Sequence, residues 1–230
     1  IIRKMNKTII EKWTRILERL LLEKSAHVTD LLPGDDPKLE VALVDVNFRG
    51  ILSLVDTSPE ALSALTSFLE ERSADYRVSA VQSNALFSEL PSSDLVVGNH
   101  ILDDLISFEF CRRNGFDYAR MPVDVAYSRQ VWDKICQDSN NGLYETPQVA
   151  FDNAARSLNR GGLIVLSSYA SRFEREHGFA HETRLCSQLF RQLGEHARGL
   201  TYLADRTHFV DRLVSPNPEV QEQWLAFQKR

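Results

Sequence analysis

The 230-residue sequence predicts an α/β fold, a doubly wound and mostly parallel sheet of seven strands with helices on both faces. Short Val-, Leu- and Ile-rich runs alternate with amphipathic stretches of ten or more residues, which calls for parallel strands joined by right-handed helical crossovers. These runs lack a clean apolar-polar alternation, as strands covered on both faces do. The length suits one well-buried domain with at most a small appendage.

The elements follow in order. Residues 2–24 place Ile2, Met5, Ile9, Trp13, Ile16, Leu17, Leu20 and Leu21 at helical spacing opposite Lys, Arg and Glu. This amphipathic helix forms an N-terminal unit, 1–25, which either packs on the domain of 26–230 or offers its apolar face to a protein partner or a second copy. AHVTDLL, 26–32, is the first strand, and Asp36-Pro37 reads as the cap and first residue of a helix over 37–48 carrying Leu39, Leu43 and Val46. ILSLVD, 51–56, is the second strand; Ser58 then caps a helix opened by Pro59 and running to about Arg72. YRVSAVQ, 76–82, DLVVGN, 94–99, and GGLIVLSSY, 161–169, are the third, fourth and fifth strands, the last preceded by a helix over 147–159. A helix at about 181–197 and two strand-like runs, GLTYLAD and HFVDRLV, complete the count. Between the fourth and fifth strands an insertion at about 105–146 holds Phe108, Phe110, Phe116, Tyr118, Tyr127 and Trp132. A connection of that length has its own helices; its aromatics line a pocket or form a local core.

Composition narrows the function classes. A net charge of −5 and a pI near 5.7 argue against a broad phosphate-binding face, so no nucleic-acid partner is expected. No apolar run approaches the roughly 18–20 residues that span a bilayer, and IIRKMNKTIIEKW scatters charge where a signal peptide needs an apolar segment. Cys111, Cys136 and Cys186 are odd in number and form no CxxC pair, which fits buried thiols in a reducing cytoplasm. No metal site is expected: Asp103 and Asp104 are too few ligands, and Gly178 interrupts the His177–His181 pair.

In an open parallel sheet, ligands bind beyond the carboxyl ends of the strands, where strand order reverses. An acid at the end of the second strand can accept hydrogen bonds from both hydroxyls of a ribose, and Asp56 stands there; the same residue also reads as a turn former. Asn84, at the end of the third strand, suits either an adenine amine or a turn. His100 ends the fourth strand as the best-placed titratable group, with Asp103 or Asp104 to orient it. The competing reading makes His100 a helix cap and the two acids partners of the helix dipole.

LVDTSPEAL at 54–62, VQSNAL at 81–86, DLVVGNHILDDL at 94–105 and AARSLNRGGLIVLSS at 154–168 resemble the motifs of the class I S-adenosylmethionine-dependent methyltransferases. The resemblance implies a Rossmann-like fold and S-adenosylmethionine held by Asp30, Gly34, Asp56, Thr57, Asn84, Ala85, Gly98 and Asn99. It also implies methyl transfer to a small, apolar or aromatic acceptor beneath residues 105–146, with His100 and Asp103 as catalytic groups. One motif departs from the family. The glycine-rich turn after Asp30 reads Leu32-Pro33-Gly34-Asp35-Asp36, keeping the middle glycine alone and setting side chains where the methionine part would lie. The alternative is therefore a catalytically inactive domain of this family, serving as a binding or assembly module.

Overall fold

The computed structural model describes residues 7–20, 25–72, 75–85, 88–137, 145–198, 203–205 and 207–230. The strands β1 (His27–Leu31), β2 (Ile51–Asp56), β3 (Arg77–Gln82), β4 (Ser93–Asn99), β5 (Leu158–Ser168), β6 (Leu203–Asp205) and β7 (Gln223–Lys229) form one sheet in the order β3-β2-β1-β4-β5-β7-β6. The first five are parallel, β7 runs antiparallel to β5 and β6, and β6 is a three-residue edge. The doubly wound α/β class is the one predicted.

Helices α1 (Lys7–Leu20), α2 (Lys38–Asp45), α3 (Pro59–Glu71) and α9 (Thr207–Val214) share one core cluster with Val28, Leu52, Leu54, Leu95 and Val97 of the strands. Helices α4 (Leu102–Asn114), α6 (Glu145–Ser157) and α8 (Ala180–Arg198) share a second with Leu31, Val55, Val96, Ile164 and Leu166. Neighbouring strand residues thus point into different cores, and the strands read as continuous apolar runs because both faces are covered. The insertion folds as a 3-10 helix, Tyr118–Val123, and α5 (Val125–Gln137), which build a third core with Ile106, Phe110, Phe179 and Leu189.

Ser58 caps α3 as read, its Oγ accepting from Ala61 N at 3.1 Å. Asp36 does not cap α2, which starts at Lys38 behind Pro37 without a side-chain cap; the Asp36 carboxylate pairs instead with Lys38 Nζ at 3.0 Å. HFVDRLV lies within α9 and is not a strand. Val210 and Val214, both buried, are four residues apart, a spacing that a short apolar run offers to helix and strand alike. The last strand is QWLAFQK, which was not among the strands expected from the sequence; its Trp224, Leu225, Ala226 and Phe227 are all buried. Cys136 is exposed; Cys111 and Cys186 are buried.

Helix α1 belongs to the domain. Trp13 is fully buried and meets Trp224 edge-on at 5.0 Å, and its Nε1 donates to Asn99 Oδ1 at 3.2 Å. The buried Lys12 Nζ pairs with Glu222 Oε2 at 2.5 Å, while Trp224 Nε1 and Asn217 N also donate to that carboxylate. Ile9, Ile10, Ile16 and Leu17 are buried as well, so these residues of the apolar face are covered by this chain, while Ile2, Met5 and Leu21 lie outside the described residues. Among the described residues, no helix is long and apolar enough to cross a membrane.

Glu222→Ala strands the Lys12 charge in the core and is expected to cost roughly 3 kcal/mol. A urea titration checks this through a lower midpoint at unchanged slope.

Candidate active site at the carboxyl ends of β1 and β4

A cavity of about 820 Å³ opens between the turn after β1, the start of α4, the insertion and α7 (Arg172–His177). Its floor is shaped by left-handed backbone at Leu32 (φ +52°), Gly34 (φ +63°) and His100 (φ +60°). Such angles are uncommon for residues with a side chain and persist where surrounding contacts over-determine them. Leu32 is held by its N–H on Val55 O at 2.8 Å and packs on the second core; His100 N donates to Ser167 O at 2.9 Å.

The His100 ring stacks on Tyr169, centroids 4.6 Å apart and planes 15° apart. Its Nε2 lies 3.5 Å from Asp103 Oδ2 and 3.6 Å from Glu174 Oε2. Burial lowers the His100 pKa and outweighs the raising pull of Glu174 and Asp104, so the imidazole is neutral at pH 7. Asp103, half-buried, is pushed up to about 8 by desolvation in the cavity and by Glu174; Asp104, exposed at the cavity, is raised by desolvation there and by Asp103. Tyr118 donates to Asp104 Oδ1 at 2.7 Å. A neutral imidazole beside a protonated carboxyl can exchange a proton with a bound group near neutral pH. Lys38 stays charged: burial lowers its pKa, but Tyr169, Asp36 and Glu40 together raise it above the usual lysine value.

The residues singled out in the sequence divide between the cavity and its surroundings. His100, Asp103, Gly34 and Asn99 line it. Asp56 stands one step behind, Oδ2 accepting from Gly34 N at 3.2 Å and Oδ1 from Ser58 N at 2.9 Å, so it ties the β1 turn to the start of α3. Thr57 beside it is exposed. Asn84 accepts from Ser88 N through its carbonyl, and the buried Ala85 accepts from Asn153 Nδ2 at 2.8 Å. Gly98 serves packing: a Cβ there would come within 2.6 Å of Ile101 Cδ1 and 2.8 Å of Leu166 Cδ2.

Asp30 does not line the cavity. It is buried beneath the turn with Glu40, and no other described residue donates to Asp30 Oδ1 or to either Glu40 oxygen. Burial and Glu40 push Asp30 well above the usual carboxyl range, and burial pushes Glu40 to about 7, so the two hold a proton between them.

Four site residues escaped the sequence reading. Glu174 was legible in principle from Ser171-Arg172-Phe173-Glu174, a capping box formed in full at α7. Lys38, Tyr169 and Glu182 carry no local signal, because folding alone turns them toward the cavity. The capping reading of His100 does not hold: α4 has Ile101 at its cap and no side-chain cap bond, although Asp103 and Asp104 do occupy its first turn.

Solved structures share this architecture over nearly the whole chain. The plantazolicin methyltransferase BpumL, in complex with SAH, aligns at 11% identity and TM-score 0.55 over 97% of this chain and 84% of its own. The mitomycin 7-O-methyltransferase MmcR aligns at 11% identity and TM-score 0.56 over 96% of this chain, which spans about half (54%) of MmcR. A candidate rRNA methylase from Clostridium thermocellum aligns at 13% identity and TM-score 0.54 over 94% of this chain and 95% of its own. The fold is that of the class I methyltransferases. No protein-family model and no curated protein matches the chain by sequence.

The carboxyls of this methyltransferase fold set a pH dependence. Unfolded Asp titrates near 3.9. From about pH 4 to 8 the folded state therefore holds more proton at Asp103, and this contribution to stability falls as pH rises, levelling off above 8. Asp103→Asn is expected to flatten this slope. By thermal unfolding, the variant should gain on the parent between pH 5 and 8, by roughly 2–4 °C per kcal/mol recovered.

Proposed function

We propose that the chain transfers a methyl group from S-adenosylmethionine to a small-molecule acceptor. The observation that carries this reading is a roomy cavity running from the β1 turn to a neutral His100 at the switch point of a methyltransferase-fold sheet. The residues present fit the cofactor's chemistry. Lys38 offers a cation to its carboxylate, and Asp36 Oδ1, buried without a donor, offers an acceptor to its ammonium. Each Asp56 oxygen accepts one backbone N–H and keeps capacity for a ribose hydroxyl. Bound there, S-adenosylmethionine supplies a methyl group activated by its sulfonium. The chain's own part is to hold the acceptor in line, exclude water and receive a proton at His100, with Asp103 orienting the ring. The insertion supplies the apolar wall of the acceptor space through Tyr118, Met121 and Trp132. The free thiols Cys111, Cys136 and Cys186 support a cytoplasmic setting.

A second reading, an inactive domain used for binding or assembly, is favoured by Leu32 in place of a glycine and by the ties of Asp56 to backbone. Thermal unfolding separates the two. Cofactor at 100 times its dissociation constant stabilises by about 2.7 kcal/mol, and no shift at millimolar S-adenosylmethionine would leave only the second reading. Given binding, Asp56→Asn should weaken it by about tenfold or more in calorimetry. His100→Gln should lower kcat by roughly 10²- to 10⁴-fold at unchanged cofactor affinity. Retained turnover removes His100 as the base.

A further inference from the structure

Among the described residues, the cavity is lined by seven carboxyl side chains against three permanent cations. Every one of those cations already has a partner: Lys38 pairs with Asp36, Arg172 with Glu176 at 2.5 Å, and Arg175 donates to the Ala170 carbonyl. The carboxyls are not matched in return. Glu182, in the first turn of α8, is 5% exposed, lines the cavity and has no hydrogen-bond or ion-pair partner among the described residues. Asp103 Oδ1 is buried without a donor. Thr183, next to Glu182, donates to Glu174 Oε1 at 3.4 Å, and Glu174 and Asp103 both face His100 Nε2, which sets these acids at one end of the cavity. The same space is walled by Trp132, Phe173, Phe179 and Met121.

A carboxylate open to a cavity without a donor attracts a cation, and so does an aromatic face. A ligand ammonium answers both; a hydroxyl answers the first in part, and an anion worsens it. We propose that this end of the cavity binds a primary or secondary amine with an apolar or aromatic body, held as its ammonium by the Glu182 carboxylate, with Asp103 Oδ1 as a further hydrogen-bond acceptor. As the identity of the methyl acceptor, the amine rests on the methyltransferase reading. The ammonium passes one N–H proton to His100 Nε2, which frees the nitrogen lone pair. That pair forms the new nitrogen–carbon bond while the carbon–sulfur bonding pair returns to sulfur, so atoms and charge balance.

The test is thermal unfolding of the full chain with 2-phenylethylamine and tryptamine, against 2-phenylethanol and 3-phenylpropionate at equal concentration, with and without S-adenosylhomocysteine. Both amines are expected to raise the midpoint by roughly 2–4 °C, with no shift from the carboxylate and less from the alcohol. Glu182→Gln is expected to weaken amine binding by at least about tenfold while leaving S-adenosylhomocysteine affinity unchanged. Stabilisation by neither amine, equal stabilisation by the alcohol, or parental amine affinity in Glu182→Gln overturns the proposal. If Glu182→Gln fails to fold, the amine-to-alcohol contrast in the parent chain decides. S-adenosylhomocysteine binding without amine binding sinks the amine site alone; amine binding without S-adenosylhomocysteine binding sinks the methyltransferase reading alone.

Discussion

β1 hydrogen-bonds in parallel to β2 along one edge and to β4 along the other. The chain leaving β1 enters α2, in the first core, whereas the chain leaving β4 enters α4, in the second. Two neighbouring strands thus send their helices to opposite faces, and the backbone parts at their carboxyl ends. A crevice results from topology alone, before any side chain is chosen. The α1 face, the Lys12–Glu222 pair and the two tryptophans brace that arrangement from below, through β7 and the end of β4.

Desolvation at the crevice governs its chemistry. The Asp103 carboxyl, which would ionise freely on a surface, is forced toward its protonated form, and a histidine that would be partly charged is held neutral. Opposed titrations in one small volume are what proton transfer near neutral pH requires. The same desolvation operates one layer down, where Asp30 and Glu40 share a proton beneath the turn. An acid motif legible as a ligand contact here supports the loop from inside.

The turn after β1 is held by a few backbone bonds and by packing. Leu32 takes the left-handed backbone that a glycine adopts freely, and Gly34 keeps its own. The bonds from Leu32 N to Val55 O and from Gly34 N to Asp56 Oδ2 hold the path in place. Strain at Leu32 is offset by packing of its side chain on the second core. Asp36 and its Lys38 partner line the crevice beside this turn.

Strand and helix succession through β5, the cap at Ser58 and the position of His100 were legible because periodicity, capping and strand ends are local properties. The last strand was not, and α9 was mistaken for a strand because the short run HFVDRLV, with apolar pairs at 209–210 and 213–214, fits more than one period. Gly98 and Asp30 matched a motif by position, yet their surroundings give them packing and support. The sequence by itself determined the order of elements, the parallel sheet and the polar residues delivered to strand ends. Only the tertiary structure decided that Glu174, Glu182, Tyr169 and Lys38 join them, and which acids hold protons. Burial and charge partnership are set by residues distant in the chain, so no local pattern encodes them.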